Sequence, residues 1–99
     1  MHDKINWMPA SEAPKTLGIE VQMNTFGKRW HCSAKLCVIY RNRESGKFLI
    51  GAGMYYKAID SDKSMWRVLH YSDNSLNDFE TGDEKSEFEV IEWAYTNFG

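Results

Sequence analysis

The sequence predicts a mainly β protein: a small antiparallel sheet of about five strands curled into a barrel or sandwich, with at most one short helix. Three observations predict it. Apolar residues recur with period two in several segments, and the clearest is Trp30–Tyr40. Polar, Gly-containing clusters separate these segments at turn-like spacing. No segment carries a ten-residue apolar stripe at helical period.

In chain order, Pro9 and Pro14 hold the opening segment extended or turning. Ile19, Val21 and Met23 alternate with Glu20 and Gln22, the pattern of a half-buried strand. Asn24–Lys28 is a turn carrying Gly27. Trp30, Cys32, Ala34, Leu36, Val38 and Tyr40 then form one face of a long amphipathic strand, with His31, Ser33, Lys35, Cys37 and Ile39 on the other. A hairpin loop spans Arg41–Lys47. The next strand places Phe48, Ile50, Ala52, Met54 and Tyr56 on one face and Leu49, Gly51, Gly53 and Tyr55 on the other. Two glycines on one face predict a bend, a bulge or a closely approaching backbone. After a turn at Asp60–Ser64, Met65–Tyr71 reads as a strand with Trp66 and Val68 facing one way. Ser72–Ser86 is polar, with one short helical turn expected near Leu76–Phe79. The last strand runs from about Glu87 to Tyr95.

The chain has 99 residues, the size of one domain (1–99), with 42% hydrophobic and 26% charged residues. Four Trp and fourteen aromatic residues in all supply enough apolar area to oppose disorder. Trp30, Trp66 and Trp93 are expected in the core, meeting as large rings from different segments. Trp7, near the terminus, is a weaker candidate. No apolar run reaches the ~18 residues of a membrane span. The opening Met1-His2-Asp3-Lys4 is polar, without a signal-peptide core, and two Cys do not make a disulfide scaffold. The expected setting is the cytoplasm, with both thiols reduced.

The net charge of −2 hides an asymmetry. Residues 1–59 hold nine Lys/Arg against four Asp/Glu, and residues 60–99 hold three against ten. The two parts either neutralise each other or present partner surfaces. The acidic candidates for a protein partner are Asp78, Glu80, Asp83, Glu84, Glu87 and Glu89. The basic alternative, for nucleic acid, is Lys28, Arg29, Lys35, Arg41 and Arg43. The overall pI of about 5.9 opposes that alternative.

Chemical signatures are absent from the sequence. His31, Cys32, Cys37 and His70 invite a metal, but strand parity sets Cys32 and Cys37 on opposite faces. The same parity puts His31 and Cys37 on one face but roughly 20 Å apart, against Zn bonds of about 2 Å. It also opposes a Cys32–Cys37 disulfide. Asp73 and Glu84 have the end-to-end spacing of a calcium loop, yet Asp78 stands where Gly is required. No nucleophile motif, phosphate loop or dinucleotide fingerprint is present. The reading is therefore of a non-catalytic protein with no cofactor and no metal.

Trp7, Ala13-Pro14-Lys15, Gly18 and Glu20-Val21, then Gly53-Met54-Tyr55, Trp66 and Val90-Ile91-Glu92-Trp93, resemble the pattern of a short phage and prophage domain of unknown function. The match spans residues 7–94. It departs from that pattern at Thr16-Leu17-Gly18, at Glu92 before the closing Trp, and at Ala94-Tyr95-Thr96. The resemblance implies origin in a mobile element and a small β-rich fold, and brings no catalytic residues. With the charge asymmetry, it leads to the expectation of an accessory protein that binds a bacterial host protein and modulates or inhibits it, possibly in anti-defence. Self-association through the opposed charges or through strand edges stays open.

Overall fold

A computed structural model of the chain describes residues 5–23, 28–71 and 73–96. The predicted turn at 24–27 lies outside them. The described residues form one antiparallel sheet of eight strands: β1 (Met8–Pro9), β2 (Thr16–Met23), β3 (Lys28–Ser33), β4 (Leu36–Asn42), β5 (Phe48–Ala58), β6 (Ser64–His70), β7 (Leu76–Glu80) and β8 (Phe88–Tyr95). The mainly β class is as expected. The sheet is curled but not closed.

β5 is the spine. One of its edges carries β6, which in turn carries β7. Its other edge is shared end to end by β4 and β3, with β8 and β1 beyond β4 and β2 beyond β3. The long strand expected over 30–40 is therefore present but interrupted. Cys32 pairs with Tyr56, whereas Leu36, four residues on, pairs with Gly53, three residues back. One extra residue is accommodated at Ser33–Lys35, which is a β-bulge. Buried Ser33 completes the bulge: its hydroxyl accepts the Tyr55 N–H at 2.9 Å and donates to the Ala34 carbonyl at 2.8 Å.

The bulge changes which face the apolar residues occupy. Paired residues on neighbouring strands point the same way. Trp30 and Cys32 therefore share a face with Tyr56 and Ala58, and Leu36, Val38 and Tyr40 share the other with Gly53, Gly51 and Leu49. An even-numbered stripe that reads as one face is split between two. The inner face holds the larger core, built from Leu36, Val38, Tyr40, Tyr55, Trp66, Val68, Phe79, Phe88 and Trp93. The outer face holds a second cluster of Met23, Trp30, Cys32, Tyr56, Ala58 and Met65 under the β2–β3 hairpin. Trp30, Trp66 and Trp93 are all buried, as expected, but they do not meet in one core. Trp7 is half-buried.

The inner face is concave. β7 and β8 are separated by three strands, about 19 Å if the sheet were flat. The rings of Phe79 on β7 and Phe88 on β8 nevertheless lie 6.4 Å apart. Gly51 and Gly53 permit this curl. A Cβ on Gly51 would sit 2.5 Å from the Leu69 carbonyl oxygen, and one on Gly53 would sit 2.8 Å from Val38 Cγ2 and 3.0 Å from the Arg67 carbonyl. Close backbone approach is thus the reason for the two glycines.

One expected element is corrected. Leu76–Phe79 is not a helical turn but the body of β7, paired along its length with β6. Only Phe79 of this strand is buried, so the strand shows almost no apolar alternation.

Candidate functional site

The structure divides the six acidic candidates. Asp78, on β7, is held by a two-pronged pair with Arg67, at 2.7 Å (Nε–Oδ1) and 2.9 Å (Nη2–Oδ2). The Asp78 hydrogen bond is the main cause that raises the Arg67 pKa above its ordinary value. Glu80 pairs with Lys63 at 3.7 Å. Glu89, on β8, lies between two guanidinium groups, bonded to Arg41 Nη2 and 3.3 Å from Arg43 Nη2. Glu87 accepts only a long contact of 3.5 Å from Asn42 Nδ2. Asp83 accepts the Lys85 backbone N–H, which orders the turn. Among the described residues Asp83, Glu84 and Glu87 form no ion pair. Three of the six candidates are thus internal partners, and three remain together on the exposed connection between β7 and β8.

The basic candidates are divided in the same way. Arg29 reaches Glu20 at 3.0 Å and Asp60 at 3.6 Å. Arg41 and Arg43 are engaged by Glu89. Lys35 is exposed at the bulge. Lys28 opens β3, and its side chain is outside the described set. Where the two charge halves touch, they neutralise each other, most directly at Glu89.

The thiols and imidazoles are corrected in their placement. Because of the bulge, Cys32 and Cys37 lie on the same outer face, not on opposite faces, paired to Tyr56 and Ala52. His31, opposite Lys57, is on the inner-facing side and no longer shares a face with Cys37. Cys32 and Cys37 are both free. Partial burial raises the Cys37 thiol pKa, against a smaller opposing hydrogen bond from Val38, and disfavours the reactive thiolate. Among the described residues no group of three or more His, Cys, Asp or Glu is placed to hold a metal ion. Asp73, of the calcium-like spacing, instead caps the Ser75 N–H at 2.9 Å.

Tyr40 and His70 form a buried polar pair. Tyr40 Oη lies 2.5 Å from His70 Nδ1, and both rings pack edge-on against Phe88. Burial, and then the nearby Asp73 carboxylate, push the Tyr40 phenol above its ordinary range. The contact satisfies both polar groups inside an aromatic core. A cleft of about 120 Å³ opens where β7 and β8 fail to pair, lined in part by Trp66, Phe79, Phe88, Arg43 and Glu89. It is smaller than the ~300 Å³ or more typical of small-molecule sites.

A further set of apolar side chains, outside all of these candidates, stands in solvent. Phe48, Ile50 and Leu76 stand on the outer face and are 62%, 51% and 58% exposed. Pairing places them on one continuous surface with Ile39, Cys37, Ala52 and Leu69. The signal was present in the sequence as Phe48 and Ile50 opposite the two glycines. Parity alone cannot say which of two apolar faces is filled.

No known protein family matches the chain, and no curated protein or solved structure is significantly similar to it. Among the described residues no helix is long and apolar enough to cross a membrane.

Proposed function

We propose that this is a non-catalytic binding protein, a small phage or prophage accessory protein that docks on a bacterial host protein in the cytoplasm and modulates or inhibits it. The observation that supports it is the division of the acidic residues. Asp78, Glu80 and Glu89 are paired with Arg or Lys side chains within the chain. Among the described residues Asp83, Glu84 and Glu87 make no ion pair, and they stand on one exposed loop, where they suit a basic surface of a partner. The biological setting rests only on the resemblance of residues 7–94 to a phage and prophage sequence pattern, which no family or protein comparison supports.

The test is capture by the tagged protein from bacterial lysate, with and without nuclease, identified by mass spectrometry. The expected result is one host protein retained after nuclease, and lost when Asp83→Lys and Glu84→Lys are combined. Undiminished capture by that double variant removes the loop from the reading. Capture that vanishes with nuclease transfers the function to nucleic acid. That alternative has less support, because Arg29, Arg41 and Arg43 are already engaged by carboxylates.

A further inference from the structure

We propose that the cleft between β7 and β8 receives an extended basic peptide segment of a partner protein, with one apolar side chain of that segment seated in the cleft. The inference rests on the reading of the chain as a binder of a basic protein surface, and it states how that surface is held. β7 and β8 are joined directly by residues 81–87, yet among the described residues they form no ladder with each other. β7 pairs with β6, and this end of β8 pairs with β4. The bonds of Ser75 and Thr81 to His70 and Ser64 fix the alternation along β7, so the N–H and C=O groups of Leu76 and Asp78 face the open edge. On β8 the bond from the Arg43 N–H to the Glu87 carbonyl fixes it likewise, and Phe88 turns its backbone groups away from β4 toward the gap. Sheet edges of this kind take an added strand through main-chain hydrogen bonds.

Room for one side chain lies at the same place. The cleft holds about 120 Å³, with Trp66, Phe79 and Phe88 in its lining. An apolar cavity of about 150 Å³ admits benzene, so this one suits a single aliphatic side chain rather than a whole small-molecule ligand. Arg43 also lines the cleft, and its Nε–H is buried with no acceptor among the described residues. A buried donor left without an acceptor is costly, and a carbonyl of a bound peptide can serve as one.

Charge sets what flanks the seated side chain. Residues 80–89 hold five Asp/Glu and one Lys. Glu80 and Glu89 line the cleft and are paired within the chain. Asp83, Glu84 and Glu87, on the connection between the two lining strands, make no ion pair among the described residues. Lys or Arg beside the seated residue meets these carboxylates, whereas nucleic acid or an acidic peptide meets like charge.

The test is fluorescence polarisation with three labelled heptapeptides: Lys-Val-Lys-Leu-Lys-Val-Lys, the same peptide with Ser in place of Leu, and Glu-Val-Glu-Leu-Glu-Val-Glu. The Leu peptide is expected to bind with a Kd below about 500 µM, and the Ser peptide at least about tenfold more weakly, the worth of one buried aliphatic side chain. The acidic peptide should not bind. Thr81 is exposed where it lines the cleft, and its backbone N–H bonds to Ser64. Thr81→Trp should fill the cleft and bring the Leu peptide down to the level of the Ser peptide, with thermal melting unchanged. Asp83→Lys combined with Glu84→Lys should weaken both basic peptides by the same factor and keep the preference for Leu. Absence of binding by the Leu peptide at 500 µM overturns the proposal. So does equal binding of the Leu and Ser peptides by the wild type, a comparison that needs no variant to fold. A preference for Leu that survives Thr81→Trp overturns it as well. Capture of a host protein that is lost in the Asp83/Glu84 double variant but intact in Thr81→Trp would overturn the cleft alone and leave the acidic loop as the contact.

Discussion

The two faces of this sheet are both rich in large apolar side chains, yet one is sealed and the other only half covered. On the inner face, Tyr40, Tyr55, Trp66, Phe79, Phe88 and Trp93 are all buried. On the outer face, Trp30 on β3 and Met65 on β6 are as deeply buried, while Phe48 and Ile50 on β5 between them stand in solvent. Composition does not separate the two faces. Curvature does: the sheet bends until β7 and β8 bring Phe79 against Phe88, so the concave side fills itself. The convex side is covered only where the β2–β3 hairpin folds over it.

The bulge at Ser33–Lys35 makes this division possible, and it offers the strongest way to break the comparison. Deleting Ile39, where β4 runs in unbroken register with β5, shifts every later side chain of that strand to the opposite face, so that Tyr40 leaves the core. The expected outcome is loss of cooperative unfolding. Deleting Ala34 has the opposite logic. It removes the extra residue while leaving Cys32 opposite Tyr56 and Leu36 opposite Gly53, so a folded protein is expected, destabilised by about 1–3 kcal/mol through the altered Ser33 contact. Urea denaturation followed by Trp fluorescence compares the two. Equal damage from both deletions would show that the bulge does not separate the faces.

Much of the fold is legible in the residues, and its failures are specific. Alternation placed the body of the sheet, and the turn at Asp60–Ser64 and the loop before Phe48 fell where Gly, Ser, Asn and Asp cluster. Gly51 and Gly53 correctly signalled a close backbone. The bulge left no mark, because Ser33-Ala34-Lys35 continues the alternation without Gly or Pro, and so the faces of Cys37 and His31 were inverted. β7 was missed because Phe79 is its one buried residue, too little for a period to show. The acidic candidates were legible as a cluster in sequence. Pairs such as Arg41 with Glu89 bridge 48 positions, and only the sheet order reveals them.

A smaller perturbation sharpens the same comparison at one hydrogen bond. Ser33→Ala leaves the buried Tyr55 N–H, at the junction of the two faces, without its acceptor. A cost of about 1–3 kcal/mol is expected by urea denaturation, with Ser33→Thr recovering part of it. A neutral Ser33→Ala would mean that another group accepts this N–H, and that the bulge needs no side-chain support.

The smallest effect is expected from pH and contrasts one phenol from each face. Tyr40 on the inner face and Tyr56 on the outer are both pushed upward, chiefly by burial. A raised folded-state pKa means that the unfolded chain gives up its phenolic proton first, from about pH 10. The associated stability is complete below that pH and is lost as pH rises through the folded-state values. Melting temperature should therefore fall more steeply above about pH 10 than it does near neutrality. Tyr40→Phe removes one of these two phenols and should make that alkaline fall shallower without abolishing it, because Tyr56 and the Cys37 thiol, both raised by burial, still titrate. Below about pH 9 the same variant should cost about 1 kcal/mol, the worth of the hydrogen bond to His70. If the alkaline limb keeps its full slope in Tyr40→Phe but flattens in Tyr56→Phe, the partly covered outer face governs the response. The reverse result places it in the sealed inner core, where Asp73 adds its charge to the effect of burial.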